Sequence, residues 1–122
     1  MNYKTIVSEF LMNVAKGNVE EAFGAFVSAD FKHHNAYFEA DNSVLINAMK
    51  ASATDQPHKI FTIKHIIEDH DMVAVHSHLQ MNEKHSGYAT MHIFKIKNDK
   101  IIEMWDFGQE VPNPIINTNG MF

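Results

Sequence analysis

The stretch His92-Ile93-Phe94-Lys95-Ile96-Lys97-Asn98-Asp99-Lys100-Ile101-Ile102-Glu103-Met104-Trp105-Asp106 decides the fold. β-Branched and aromatic residues alternate with charged ones on both sides of Asn98-Asp99-Lys100, residue types that accept a left-handed turn, so two strands double back here. A three-residue loop with Asp99 in the left-handed position sets Lys97 against Ile101. Ile96 then faces Ile102, Phe94 faces Met104 and His92 faces Asp106, all on one side of the sheet because side chains alternate with period two. Lys95, Lys97 and Glu103 take the other side. This register separates apolar from charged residues on both strands and stands a carboxylate beside an imidazole on the apolar face. A two-residue turn would instead put His92 opposite Trp105 and turn Asp106 away.

Upstream, the same alternation predicts further strands over 58–68, 72–81 and 87–97, with the fourth over 101–110, and a tight turn at Glu68-Asp69-His70-Asp71. The amino-terminal half has helical spacing instead. Ile6, Val7, Phe10, Leu11 and Val14 form one stripe within 2–16, closed by Gly17. Asn18 and Glu21 have the spacing of a capping box for a second helix that ends near Ser28. FKHHNAYF at 31–38 reads as a strand, and a third helix starts near Asn42 with Leu45, Ala48, Met49 and Ser52 on one side. Helices followed by a strand meander make an α+β domain with helices covering one face of a curved sheet. Strands this long predict that a second subunit covers part of the other face, giving a homodimer through the sheet.

A chain of 122 residues, 45% hydrophobic and 20% charged, suits one globular domain over 1–122, with 111–122 as an extended tail. The absence of cysteine removes disulfides, thiolate metal sites and a cysteine nucleophile. All ten basic residues are lysine, and the net charge is −5, which argues against nucleic acid as a partner. Neither a signal peptide nor a membrane span is legible, so a cytoplasmic location is the expectation. No phosphate loop or serine-hydrolase elbow is present.

Among nine histidines, the useful ones are those that reach a carboxylate within the cup between helices and sheet. Asp106 interrupts an apolar strand at a position that should be buried, and a buried carboxylate needs partners. With His92 it makes a pair suited to moving a proton to or from a carbon acid. His33 and His34 must point to opposite faces, and His34 is taken as the one entering the cup. His76 shares a face with His78 and Ala74; it is either a second polar group of the pocket or part of a dimer interface. Trp105 belongs at the rim or against a partner subunit. His76 and His78 have the spacing of a strand chelate, but no third ligand follows, so no metal site is expected.

Phe31-Lys32-His33-His34-Asn35, Asp71-Met72-Val73-Ala74-Val75-His76-Ser77-His78 and the 93–106 hairpin together resemble the SnoaL-like polyketide cyclases of the NTF2-like superfamily. The resemblance implies a cystatin-like cone, with the amino-terminal helices packed on the concave face of a strongly bent, mostly antiparallel sheet. It also implies acid/base roles for Asp106 and His92 in an aldol condensation without metal or cofactor, and a pocket-wall position for His34 and Asn35. Ala36 and Met104 depart from the commoner proline and histidine of that family. The candidate set is therefore Asp106, His92 and His34 as catalytic groups, with Asn35, His76, Phe94, Met104 and Trp105 bordering the substrate. Two functions fit this set. One is a cyclase or isomerase acting next to the carbonyl of a small apolar molecule, and the other is a domain that binds a small molecule or a protein without chemistry.

Overall fold

A computed structural model describes residues 2–122. Asn2 caps the first helix, α1 (Tyr3–Ala15), by accepting from Thr5 N at 2.8 Å, and Gly17 follows at φ 93, a conformation that suits glycine. The second helix, α2 (Val19–Phe26), carries Glu20 and Glu21 in its first turn, where acidic groups complement the helix dipole. The expected capping box does not form, because the Asn18 side chain makes no capping hydrogen bond. The third helix, α3 (Asn42–Asp55), is capped by Asp41, whose carboxylate accepts from Ser43 N at 2.8 Å.

Five strands follow in chain order: β1 (Val27–His33), β2 (Ile60–Asp69), β3 (Met72–Gln80), β4 (Tyr88–Lys97) and β5 (Lys100–Glu110). They form one sheet in the order β1-β5-β4-β3-β2, in which β1 runs parallel to β5 and every other pair is antiparallel. Strand β1 begins and ends earlier than the sequence suggests. The chain passes from α2 straight into extended backbone at Val27, and His34 N makes its last ladder bond to Met104 O at 2.9 Å. Beyond that point the Asn35 side chain accepts from Tyr37 N at 3.0 Å, a local bond that turns the backbone and ends the strand.

The decisive hairpin also departs from its expected geometry. Its turn has two residues, Asn98 and Asp99, both at positive φ (53 and 59), so Lys97 pairs with Lys100 and Ile96 with Ile101 rather than Ile102. A bulge then restores the residue that the tighter turn removed. Ile102 is passed over, Lys95 faces Glu103, Phe94 faces Met104, and His92 faces Asp106.

The helices cover one face of the sheet, where Ile6, Phe10, Val19, Phe23 and Leu45 pack with Val73, Val75, Phe94, Ile96, Ile101 and Met104 in a single core. Phe10 meets Phe23 and Phe94 edge to face at 5.2 and 5.9 Å. Residues 111–122 contain no helix or strand. This tail ends on the opposite, outer face, where the Phe122 ring lies 4.5 Å from His78 and 5.6 Å from His76. Among the described residues no helix is long and apolar enough to cross a membrane.

Candidate active site

His92 on β4 and Asp106 on β5 are direct ladder partners on the helix-covered side, one step of the pleat beyond the buried pair Phe94 and Met104. Both line a cleft of about 760 Å³ whose walls include Asn35, Leu79, Tyr88 and Thr90. The His92 ring stacks on Phe94 at 5.9 Å and meets the edge of Phe61 at 6.2 Å. Burial among these rings pushes the imidazole down to about 4, against the opposing pull of the Asp106 charge. His92 is therefore neutral at pH 7.

Asp106 is held from outside the hairpin. Asn35 Nδ2 donates to its Oδ2 at 3.0 Å, while Asn35 Oδ1 is occupied by Tyr37 N. The other carboxylate oxygen, Oδ1, is buried without a hydrogen-bond partner, and so is His92 Nδ1. Unsatisfied buried polar atoms are costly and uncommon, and here two fall on directly paired residues of adjoining strands.

Several candidate residues occupy other places. His33, not His34, points inward. It is 8% exposed, donates through Nε2 to Glu39 O at 2.8 Å, and accepts at Nδ1 from Asn35 N at 3.2 Å, so both ring nitrogens serve the loop. His34 stands at the cleft rim with its ring stacked on Trp105 at 4.9 Å and its Nε2 donating to Glu103 Oε2 at 2.6 Å, an arrangement that leaves that nitrogen committed. Trp105 belongs to an outer-face hollow with Met72, Ile93 and Phe107. His76 is likewise on the outer face, stacked on His65 with their Nδ1 atoms 3.0 Å apart, because period-two alternation turns it away from Val75 and Ser77. Phe94 and Met104, at 0% and 1% exposure, are core beneath the site and cannot border a ligand.

Tyr88 and Thr90 went unnoticed in the sequence, although they stand four and two residues before His92 on the same strand face. Leu79 reaches the cleft from β3. Among the described residues, no group of three or more His, Asp or Glu is placed to hold a metal ion.

The sequence profile of the SnoaL-like domain matches residues 7–104. The chain belongs to the SnoaL-like domain family. Similar solved structures include a SnoaL-like polyketide cyclase from Agrobacterium tumefaciens, at 15% identity and TM-score 0.73, covering 93% of this chain and 96% of that one. An NTF2-like protein of unknown function from Cytophaga hutchinsonii aligns at 13% identity and TM-score 0.70, over 96% of each chain. IdmH from Streptomyces antibioticus, described as a candidate polyketide cyclase, aligns at 13% identity and TM-score 0.70 over 87% of this chain and 91% of that one. No curated protein matches by sequence. At these identities the neighbours establish the SnoaL-like, NTF2-like architecture and leave the chemistry to the site. The profile match itself stops two residues before Asp106.

Proposed function

We propose that this SnoaL-like protein is an acid–base enzyme of the cyclase or isomerase type, acting next to the carbonyl of a small apolar substrate. The observation that carries the reading is the pair of buried, unpartnered atoms, Asp106 Oδ1 and His92 Nδ1, on directly paired residues of one cleft. Asp106 Oδ1 takes the proton from the carbon next to the carbonyl, and the electron pair moves onto the carbonyl oxygen. His92, neutral because it is buried, donates a hydrogen bond to that oxygen. A neutral imidazole polarises the carbonyl without surrendering its proton, a division of labour known from other enolising enzymes. The enolate carbon then attacks a second carbonyl of the same molecule in an aldol closure, whose new alkoxide takes the proton back from Asp106, or it is reprotonated by Asp106 at another position in an isomerisation. Asn35 is a positioning residue that holds Oδ2 and leaves Oδ1 for the substrate. His34, committed to Glu103, shapes the rim.

The test is exchange of carbon-bound hydrogen in D2O, followed by proton NMR over a panel of cyclic ketones and 1,3-diketones. Asp106→Asn should retain the fold and lower the exchange rate by about 100-fold or more. Exchange unaltered by that substitution, or seen with no member of the panel, defeats the reading and favours a domain that binds its ligand unchanged.

A further inference from the structure

A second, smaller space adjoins the cleft, and the proton-transfer chemistry leaves it unused. It measures about 140 Å³ and lies between α1, α3 and the starts of β2 and the end of β3, with apolar walls that include Leu11, Met49 and Phe61. Leu79 and His92 line this recess and the cleft alike, so the imidazole stands where the two spaces meet. About 150 Å³ of apolar space accepts one benzene ring, so the recess has room for a single ring or an alkyl group of similar size.

One group in the recess does not fit an apolar ligand. Lys59 is half-buried there, and its Nζ donates to Ser52 Oγ in the last turn of α3. A hydroxyl is a weak partner for an ammonium group, and none of the ion pairs among the described residues includes Lys59. Burial holds the amine below its ordinary 10.5 with no neighbouring carboxylate to oppose the shift. Lys50, on the same helix as Ser52, shows the contrast: it is exposed and paired with Glu20 at 2.6 Å. Lys59 has been drawn toward an apolar space without the anion that would compensate it.

We infer that the recess binds the carboxylate of an apolar monoacid, with Lys59 and Ser52 as its anchor and the ligand's hydrocarbon portion directed toward Leu79 and His92. The inference deepens the acid–base reading and rests on it only for the reacting end of the ligand. The substrate class it names is a keto acid whose carboxylate and reacting carbonyl are separated by about one ring's width of hydrocarbon. The carboxylate would orient the molecule from the recess, while its carbonyl reaches His92 and its acidic carbon extends into the cleft beside Asp106.

Benzoate is the probe, with benzamide as its uncharged counterpart, each titrated into the full chain and followed by amide and methyl NMR shifts. Wild type should bind benzoate about tenfold or more tightly than benzamide, with shifts at Leu79 and His92. Lys59→Met should bring the two affinities within about twofold, Lys59→Arg should keep part of the preference, and Ser52→Ala should weaken benzoate several-fold. If Lys59→Met does not fold, Ser52→Ala decides. Equal affinities in wild type, or a preference that survives in folded Lys59→Met, overturns the anchor. Asp106→Asn separates the two claims, since it should abolish hydrogen exchange while leaving benzoate preference intact. Preserved Lys59-dependent binding without exchange in wild type would defeat the enzymatic reading alone.

Discussion

At the scale of single residues, His92 carries the clearest physical signature. Its folded-state value of about 4 lies below the ordinary 6.5, so between those values the unfolded chain binds more protons than the folded one. The stability tied to this group is fully present above about pH 6.5 and is lost as the pH falls toward 4. Chemical-denaturation midpoints measured from pH 7.5 to 4 should show that loss in wild type and a flatter curve in His92→Phe, a replacement suited to the Phe61 and Phe94 surroundings. Equal slopes would mean that His92 is protonated in the fold. Asn35 supports a second expectation. Asn35→Asp sets a second carboxylate against Asp106 Oδ2 and should cost more activity than Asn35→Ala, with the loss in kcat exceeding the change in KM because the residue acts through Asp106. Equal losses from the two variants, or a loss confined to KM, would argue that Asn35 only shapes the loop. The pairing of His92 with Asp106 was legible because alternation propagates along a strand. Asn35's grip on Asp106 was not, since the two are 71 residues apart and meet only when β1 joins β5. The choice between His33 and His34 failed for a related reason. Alternation says that neighbours point oppositely, but not which of them faces the helices until the strand has a partner.

At the scale of elements, the hairpin reached its expected pairing by an unexpected route. Asn98 and Asp99 both adopt left-handed backbone, and one residue is then gained at Ile102. A bulge leaves little trace in a sequence, so the three-residue loop and the two-residue turn with a bulge predict the same partner for His92 and differ only near the turn. Two expectations separate turn from bulge. Asp99→Gly removes the cost of a side chain at φ 59 and should raise stability by up to about 1 kcal/mol, read from a urea midpoint, with no change in activity. Deleting Ile102 should remove the bulge and leave a regular ladder behind the two-residue turn, in which Glu103 follows Ile101 directly, Lys95 still faces Glu103 and His92 still faces Asp106. A retained backbone NOE pattern between His92 and Asp106, together with retained hydrogen exchange, is the outcome expected. Loss of both would mean that the turn re-forms around the deletion and shifts β5 by one residue. The helices were easier to read, since α1, α2 and α3 are each set by apolar spacing. The start of β1 was not, because Val27 continues the apolar spacing of α2 while its backbone is already extended.

At the scale of the whole molecule, the α+β order of elements could be read from the change of periodicity near residue 58. The parallel pairing of β1 with β5 could not, because no local pattern records which strand edge an amino-terminal strand will find. The outer face of the sheet raises the remaining question. It carries Trp105, Ile93 and Met91 together with Phe107 and Ile67, each of the latter pair 64% exposed, and the tail covers only the part around His76 and His78. A contiguous apolar surface of this kind on a folded domain is a contact surface, and a second copy of the chain is the partner we propose, since one self-complementary face suffices for a closed dimer. Phe107 is the residue to change, because it is the most exposed ring of the central strands and its loss removes nothing from the core. Phe107→Glu would place two like charges near the centre of such an interface without disturbing the helices. Light scattering coupled to size exclusion should then report a dimer for wild type and a monomer for the variant, with the same helical circular dichroism in both. Because Phe107 also lines the cleft beside Asp106, the monomer should lose some turnover as well. A wild-type monomer would assign the exposed face to a different partner and leave the cleft, which one chain completes by itself, unaffected.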